Sequence, residues 1–176
     1  MPTVFSHAAV PLAIGLGLGQ RAIPRRLLLA GIVASMLPDA DVLAFKLGIP
    51  YADNFGHRGA SHSLLFALFI GLFGALGAPL WRCGYRVAFL FVALATASHP
   101  LLDMFTNGGM GVAFWWPISD HRWFAPWQVI EVSPIAIKRV LSPRGLAVMW
   151  SELTWVWLPA SLCTLCLFGW RRSRQP

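Results

Sequence analysis

The sequence predicts an all-α integral membrane protein with about five hydrophobic helices and a tryptophan- and proline-rich interfacial segment between the fourth and fifth. Three observations carry this. Hydrophobic residues make up 57% of the chain and charged ones 12%, against about 25% charged in a soluble domain. Mean hydropathy is +0.62. Apolar runs of helical length recur between short polar clusters, and most of the arginines sit beside those runs.

The helices are expected at Ala8 to Gly19, Pro24 to Leu37, Leu64 to Trp81, Arg86 to Asp103 and Ala147 to Trp170. The first two are short against the roughly 20 residues that cross a bilayer. Pro11 should bend the first helix, and Pro24 suits the start of the second. Pro38 should end the second, because it disfavours helical geometry at Leu37. Pro100, one position after His99, should kink or restart the fourth. The whole chain, 1–176, reads as one membrane-embedded domain. Its stretch 104–146 holds Trp115, Trp116, Trp123 and Trp127 with Pro117, Pro126, Pro134 and Pro143. That is too long for an idle connection, and tryptophan favours the headgroup level. It reads as an interfacial lid or re-entrant segment. No basic stretch precedes the first apolar run, so a cleavable leader is not expected. Cys163 and Cys166 form a CxxC inside an apolar helix, where two small apolar residues are the expected reading rather than a redox pair.

Five crossings put the chemistry on one face. All five histidines and all seven acids fall on the side of the N-terminus. The other side receives Arg21, Arg25, Arg26, Arg82, Arg86, Arg171, Arg172 and Arg174 and no acid. Arginine in short loops marks the cytoplasmic side. The N-terminus and the polar end are therefore expected to face outward, into the periplasm of a bacterial inner membrane, with the C-terminus cytoplasmic. The basic balance reads as topology, and direct nucleic-acid binding is not expected.

Four separated clusters converge there. His99 and Asp103 are four apart on a helix and share a face. Asp39 and Asp41 are two close carboxylates, costly without a cation beside them. The stretch GHRGASHS supplies His57 and His62, and between them Arg58, whose planar fork suits phosphate. His7 precedes the first helix. For each cluster alone a structural explanation competes: a histidine–aspartate hydrogen bond, a solvated turn, a polar interface loop. Together they make a metal site of His7, Asp39, Asp41, His57, His62, His99 and Asp103. Histidine and aspartate without cysteine suit zinc, or manganese. The surplus of donors points to more than one ion, within a range of one to three. Paired metals activate water and stabilise the leaving oxygen in phosphoester hydrolysis. Arg58 as phosphate clamp and Glu152, in the first turns of the last helix, are the candidate catalytic groups. Asn107-Gly108-Gly109 is a candidate lining segment. Asp120-His121-Arg122 reads as a surface turn.

The ordered set Ser6-His7, Pro38-Asp39-x-Asp41, His57-Arg58-Gly59-x-Ser61-His62-Ser63 and His99-x-x-Leu102-Asp103 resembles the YdjM/YbcI-like family over essentially the whole chain. That resemblance implies an inner-membrane protein described, on inference, as a metal-dependent hydrolase. Some members are also described as associated with the LexA repressor, which no residue here explains. The pattern is also similar to the zinc-dependent phospholipase C and nuclease superfamily. Its His-x-x-x-Asp pair matches His99 and Asp103, and its upstream ligands match Asp39 or Asp41 and His57 or His62. This chain departs from that superfamily in lacking a downstream His-x-x-x-Glu pair, which favours one or two ions over three. The expected substrate is a phosphate ester, with membrane lipids as the natural partner. The competing functions are a membrane scaffold or sensor with a structural metal, docking a cytoplasmic regulator through its arginine-rich side, and a metal transporter.

Overall fold

The computed structural model describes residues 2–133 and 142–174. Pro134, Lys138 and Arg139 of the interfacial segment lie outside the described residues. Among the described residues there is no strand, and the fold is all-α.

The chain enters through a 3-10 turn, Val4–Ala8, that runs into α1, Ala9–Leu18. Pro11 falls in the first turn of α1, where no intrahelical donor is required. Next comes α2, Arg25–Met36. Helical winding does not stop at Pro38 as expected. It tightens into a 3-10 helix, Leu37–Leu47, that ends at the left-handed Gly48 (φ 74°). Proline at the first turn of that helix has no partner to lose. Asp39 and Asp41 thus ride on a helix rather than a solvated turn, and Asp39 is buried.

The third expected helix divides at Gly77 into α3, Leu64–Leu76, and a short α4, Ala78–Trp81. Ser63 caps α3, accepting from the Phe66 amide. The fourth is α5, Tyr85–Met104, which carries Pro100 without breaking. The last begins earlier than expected. It comprises α6, Pro143–Glu152, then a π turn, Leu153–Trp157, and α7, Leu158–Ser173. Pro159 explains the π turn. It has no amide for the Trp155 carbonyl, and the Leu158 amide reaches back five residues to Leu153.

Small residues set the packing. α5 is central, flanked by α3 and α2, and α1 packs on α7. A Cβ on Gly71 would lie 2.7 Å from that of Ala93, and one on Gly74 equally close to Val92. A Cβ on Gly31 would strike the Phe91 ring, and one on Gly17 would strike Leu167. Close backbone approach through small residues is how helices associate in lipid. The outward faces are apolar: Leu65, Leu68, Phe69, Leu72, Phe73 and Leu76 of α3 are all exposed. Among the described residues, three helical stretches are long and apolar enough to cross a membrane, Arg25–Leu47, Tyr85–Met104 and Pro143–Ser173, with Val4–Leu18 and Leu64–Leu76 shorter.

The connection after α5 folds back over one end of the bundle. Thr106 bridges to Ile130, and Val112 pairs with Trp123. Its Ala113 amide donates to the Arg58 carbonyl, and its Phe114 carbonyl accepts from Leu64. Trp115, Trp123 and Trp127 remain exposed.

Gly71→Leu should force α3 away from α5 and destabilise the bundle by about 1–3 kcal/mol, the usual cost of overpacking. Thermal unfolding in detergent measures it. Gly84→Ala, with nothing near its Cβ, should leave the melting temperature within a degree or two of wild type, since substitutions away from packed features change stability little.

Candidate metal centre

α5 presents His99 and Asp103 on its inner face, both fully buried. His99 Nδ1 lies 2.7 Å from the Ser35 carbonyl on α2. That oxygen can only accept, so Nδ1 carries the proton and donates. Pro38, three residues on, offers the same carbonyl no amide. His99 Nε2 therefore turns a lone pair inward, 3.3 Å from Asp39 Oδ1 and 3.1 Å from His62 Nε2.

The loop GHRGASHS is shaped by tight backbone approaches. A Cβ on Gly56 would lie 2.2 Å from the Pro50 carbonyl oxygen, and one on Gly59 equally close to that of Asn54. Asp41 organises the loop. Its Oδ1 is 2.5 Å from His57 Nδ1. Its Oδ2 accepts from the Arg58 amide at 3.1 Å and the Ser61 hydroxyl at 2.6 Å, and faces His62 Nδ1 at 3.1 Å. His62 is thereby oriented through Nδ1, with Nε2 facing the centre. Burial pushes the His62 imidazole down, but the negative charge of Asp103 and Asp41 beside it outweighs that and raises it to about 9. A cation arriving at Nε2 takes the place of that proton.

One donor atom each from Asp39, His62, His99 and Asp103 lie within 4.8 Å of one another. His62 Nε2 is 3.4 Å from Asp103 Oδ2 and 3.9 Å from Asp39 Oδ1, and His99 Nε2 is 4.0 Å from Asp103 Oδ2. A tetrahedral zinc ion bound at about 2.0–2.1 Å sets its donors about 3.3 Å apart. Three of these separations are close to that value and two are longer, so the group has the spacing of a metal site.

His7 completes a second face. Its ring stacks on His99, with centroids 3.6 Å apart. Its Nε2 is 3.9 Å from Asp39 Oδ2 and 3.8 Å from Asp103 Oδ1, the outer oxygens of the same two carboxylates. All four oxygens of Asp39 and Asp103 and both nitrogens of His7 are buried without a hydrogen-bond partner. Buried polar groups are almost always paired. Unpaired acceptors converging on one point fit a cation, and the residues pass that test. A second triplet, Asp41, His57 and His62, also has metal-ligand spacing, but there the carboxylate already accepts from four groups.

Two sequence-based roles change. Arg58 is fully buried, with a left-handed backbone (φ 63°) unusual for a side-chain-bearing residue. Its guanidinium points inward. Nε lies 3.1 Å from Asp103 Oδ2, while Nη1 donates to the Gly108 carbonyl and Nη2 to the Thr106 hydroxyl, both at 2.9 Å. It braces Asp103 and is not a free phosphate clamp. Glu152 is outside the donor group and engages neither Arg58 nor Arg122. It accepts from the Thr3 amide, and from the Thr3 and Ser6 hydroxyls at 2.6 Å each. It anchors the segment that carries His7.

Other residues support the donor group from outside it. Thr106 follows Asp103 by three and Gly108 by five, a proximity that marks the glycine segment as lining the site. Arg122 donates to the carbonyls of His57, Tyr51 and Asp53, pinning the loop. His121 packs edge-on against Trp123 at the surface. Cys83, Cys163 and Cys166 are free thiols.

Comparison with known proteins places the chain. The family model described as YdjM inner membrane protein matches residues 1–175. The inner membrane protein YbcI of Escherichia coli (strain K12) is 54% identical over 173 residues, covering 98% of this chain and 99% of the relative. No solved structure matches. This chain, with a buried histidine–aspartate cluster able to hold a metal ion, belongs to the YdjM family of inner membrane proteins.

Proposed function

We propose that this protein is a membrane-bound metal-dependent hydrolase that cleaves a phosphate ester at the outward membrane face. The observation that carries the reading is the split use of Asp39 and Asp103. Their inner oxygens close a four-donor set with His62 and His99, and their outer oxygens make an incomplete set with His7. The first set has the donors to hold one ion, and the second, with fewer protein donors, would leave positions for water and substrate. Divalent cations at these positions, zinc by the chemistry of the donors, supply an activated water and a clamp for the phosphoryl oxygens.

The protein residues set orientation and charge. Asp41 fixes the His62 tautomer from behind, and the Ser35 carbonyl fixes that of His99. Arg58 holds Asp103 with its oxygens aimed at both sets. The site gathers three carboxylates, Asp39, Asp41 and Asp103, and one guanidinium, that of Arg58, which leaves two negative charges among buried groups. One divalent cation balances them. A second requires an anionic ligand, which a phosphate ester provides. The outward orientation rests on the arginine-rich opposite side.

A second reading has its own support. The four-donor set would saturate a single ion, and its members are buried, as in a structural metal site. The protein would then be a scaffold with no reaction.

Metal content separates the two. Purified wild-type protein equilibrated with zinc should hold two ions per chain. His7→Ala should hold one, and His99→Ala and Asp39→Ala none. Zinc-loaded wild type should release headgroup or phosphate from labelled phospholipids, and His7→Ala should not. One ion per chain in both wild type and His7→Ala, with no turnover, leaves the scaffold. Folded protein without metal sinks the hydrolase mechanism altogether.

Asp41→Asn should keep both sites but weaken zinc binding by about 10- to 100-fold, the usual effect of losing a carboxylate behind a ligating histidine. A competitive chelator titration reads it.

A further inference from the structure

We propose that a notch on the last helix seats one acyl chain of a membrane phospholipid and sets that lipid's phosphate level with the metal centre. The proposal deepens the reading above and rests on it for the chemistry, though not for the binding.

The notch is a cavity of about 450 Å³ lined by Trp150, Leu153, Thr154, Trp157, Leu158 and Ser161. That volume falls within the range of ligand pockets. It straddles the π turn that Pro159 enforces, where the helix widens. It opens sideways from the stretch Pro143–Ser173, which is long and apolar enough to span the membrane, packs on α1 along one side and leaves most of its residues exposed. Its Thr154 hydroxyl is satisfied by the Trp150 carbonyl. A neighbouring helix is a poor occupant, because Trp150, Leu153 and Leu158 project from the rim and block close backbone approach. A thin, flexible hydrocarbon chain fits between them.

Depth and adjacency add two independent arguments. Arg171 and Arg172 stack on Phe168, and Arg174 on Trp170, marking one headgroup boundary. Glu152 lies nineteen residues before Arg171, about 28 Å of helix at 1.5 Å per residue. The hydrocarbon core is about 30 Å thick. Glu152 therefore sits at the opposite boundary, the level of a lipid phosphate, and the notch runs from there into the hydrocarbon. The inner wall is Trp157, whose indole donates to the Ser6 hydroxyl at 3.1 Å, and Ser6 also donates to Glu152. Ser6 precedes His7, the ligand of the open metal position. Trp157 and Ser6 thus connect the groove wall to the segment that carries His7.

The test uses full-length protein, delipidated in detergent and given phosphatidylethanolamine with a diazirine in one acyl chain. After photolysis, label should concentrate in the peptide 150–161. Thr154→Trp and Ser161→Trp fill the notch from its outer face, and each should lower that label about tenfold, the effect of two chain methylenes losing their burial. Leu165→Trp, exposed beyond the notch, should leave it unchanged. Label spread evenly along the last helix, or unmoved by both filling variants, overturns the proposal. So does a protein–protein crosslink through the notch, which would assign it to a second copy. Zinc content is measured on the same samples. Unlocalised label with zinc retained fails the lipid seat alone, and localised label without zinc fails the metal reading alone.

Discussion

Two carboxylates buried side by side set the terms for everything around them. Asp39 and Asp103 come from different helices, are buried, and have no hydrogen-bond donor on any of their four oxygens. Such a pair is tolerable only if positive charge stands between or beside them. Arg58 provides one such charge, and the inward-facing histidines mark where another belongs. The 3-10 winding after Pro38, the cramped glycines of the loop and the unusual backbone of Arg58 are each costs that make sense as means of delivering these groups. Local strain of this kind persists where surrounding structure enforces it.

The bundle does the enforcing. α5 brings two of the cluster's donors, His99 and Asp103, and it is clamped between α2 and α3 by glycine contacts. Asp39 follows directly from α2, and His62 sits one residue before the cap of α3. Each ligand thus stands at the end of a helix whose position is fixed by packing in the apolar interior, so the centre inherits its precision from contacts well away from it. The connection after α5 closes the arrangement, with Thr106 and Gly108 bracing Arg58 and Arg122 holding the loop from outside.

The residues of the centre were legible in the sequence, because histidine and aspartate are conspicuous among apolar runs. The pair His99 and Asp103 was also readable as a spacing. Their roles were not. Asp39 and Asp41 look equivalent as text, yet one faces the cluster and the other orients the histidine loop. The sequence suggests chemistry for Glu152 and Arg58, and in the structure both hold other groups in place. What chooses between such roles is the partner, and the partners of Glu152 lie 149 and 146 residues away. Proline is a poor guide to where these helices end, and the stop expected at Pro38 does not occur. Pro38 begins a 3-10 helix, Pro100 is carried inside α5, and Pro159 is absorbed by a π turn. In a membrane bundle, packing outweighs one missing amide.

The tie between Glu152 and the first residues also has a meaning in time. Chains enter a membrane from the N-terminus onward. Once synthesis has passed Met104, the nascent chain already holds Asp39, His62, His99 and Asp103. His7 was made before any of them, yet the anchor that fixes its segment arrives only with the last helix. The earliest histidine of the cluster is therefore the last to be secured, and the cluster is finished only when the whole protein is.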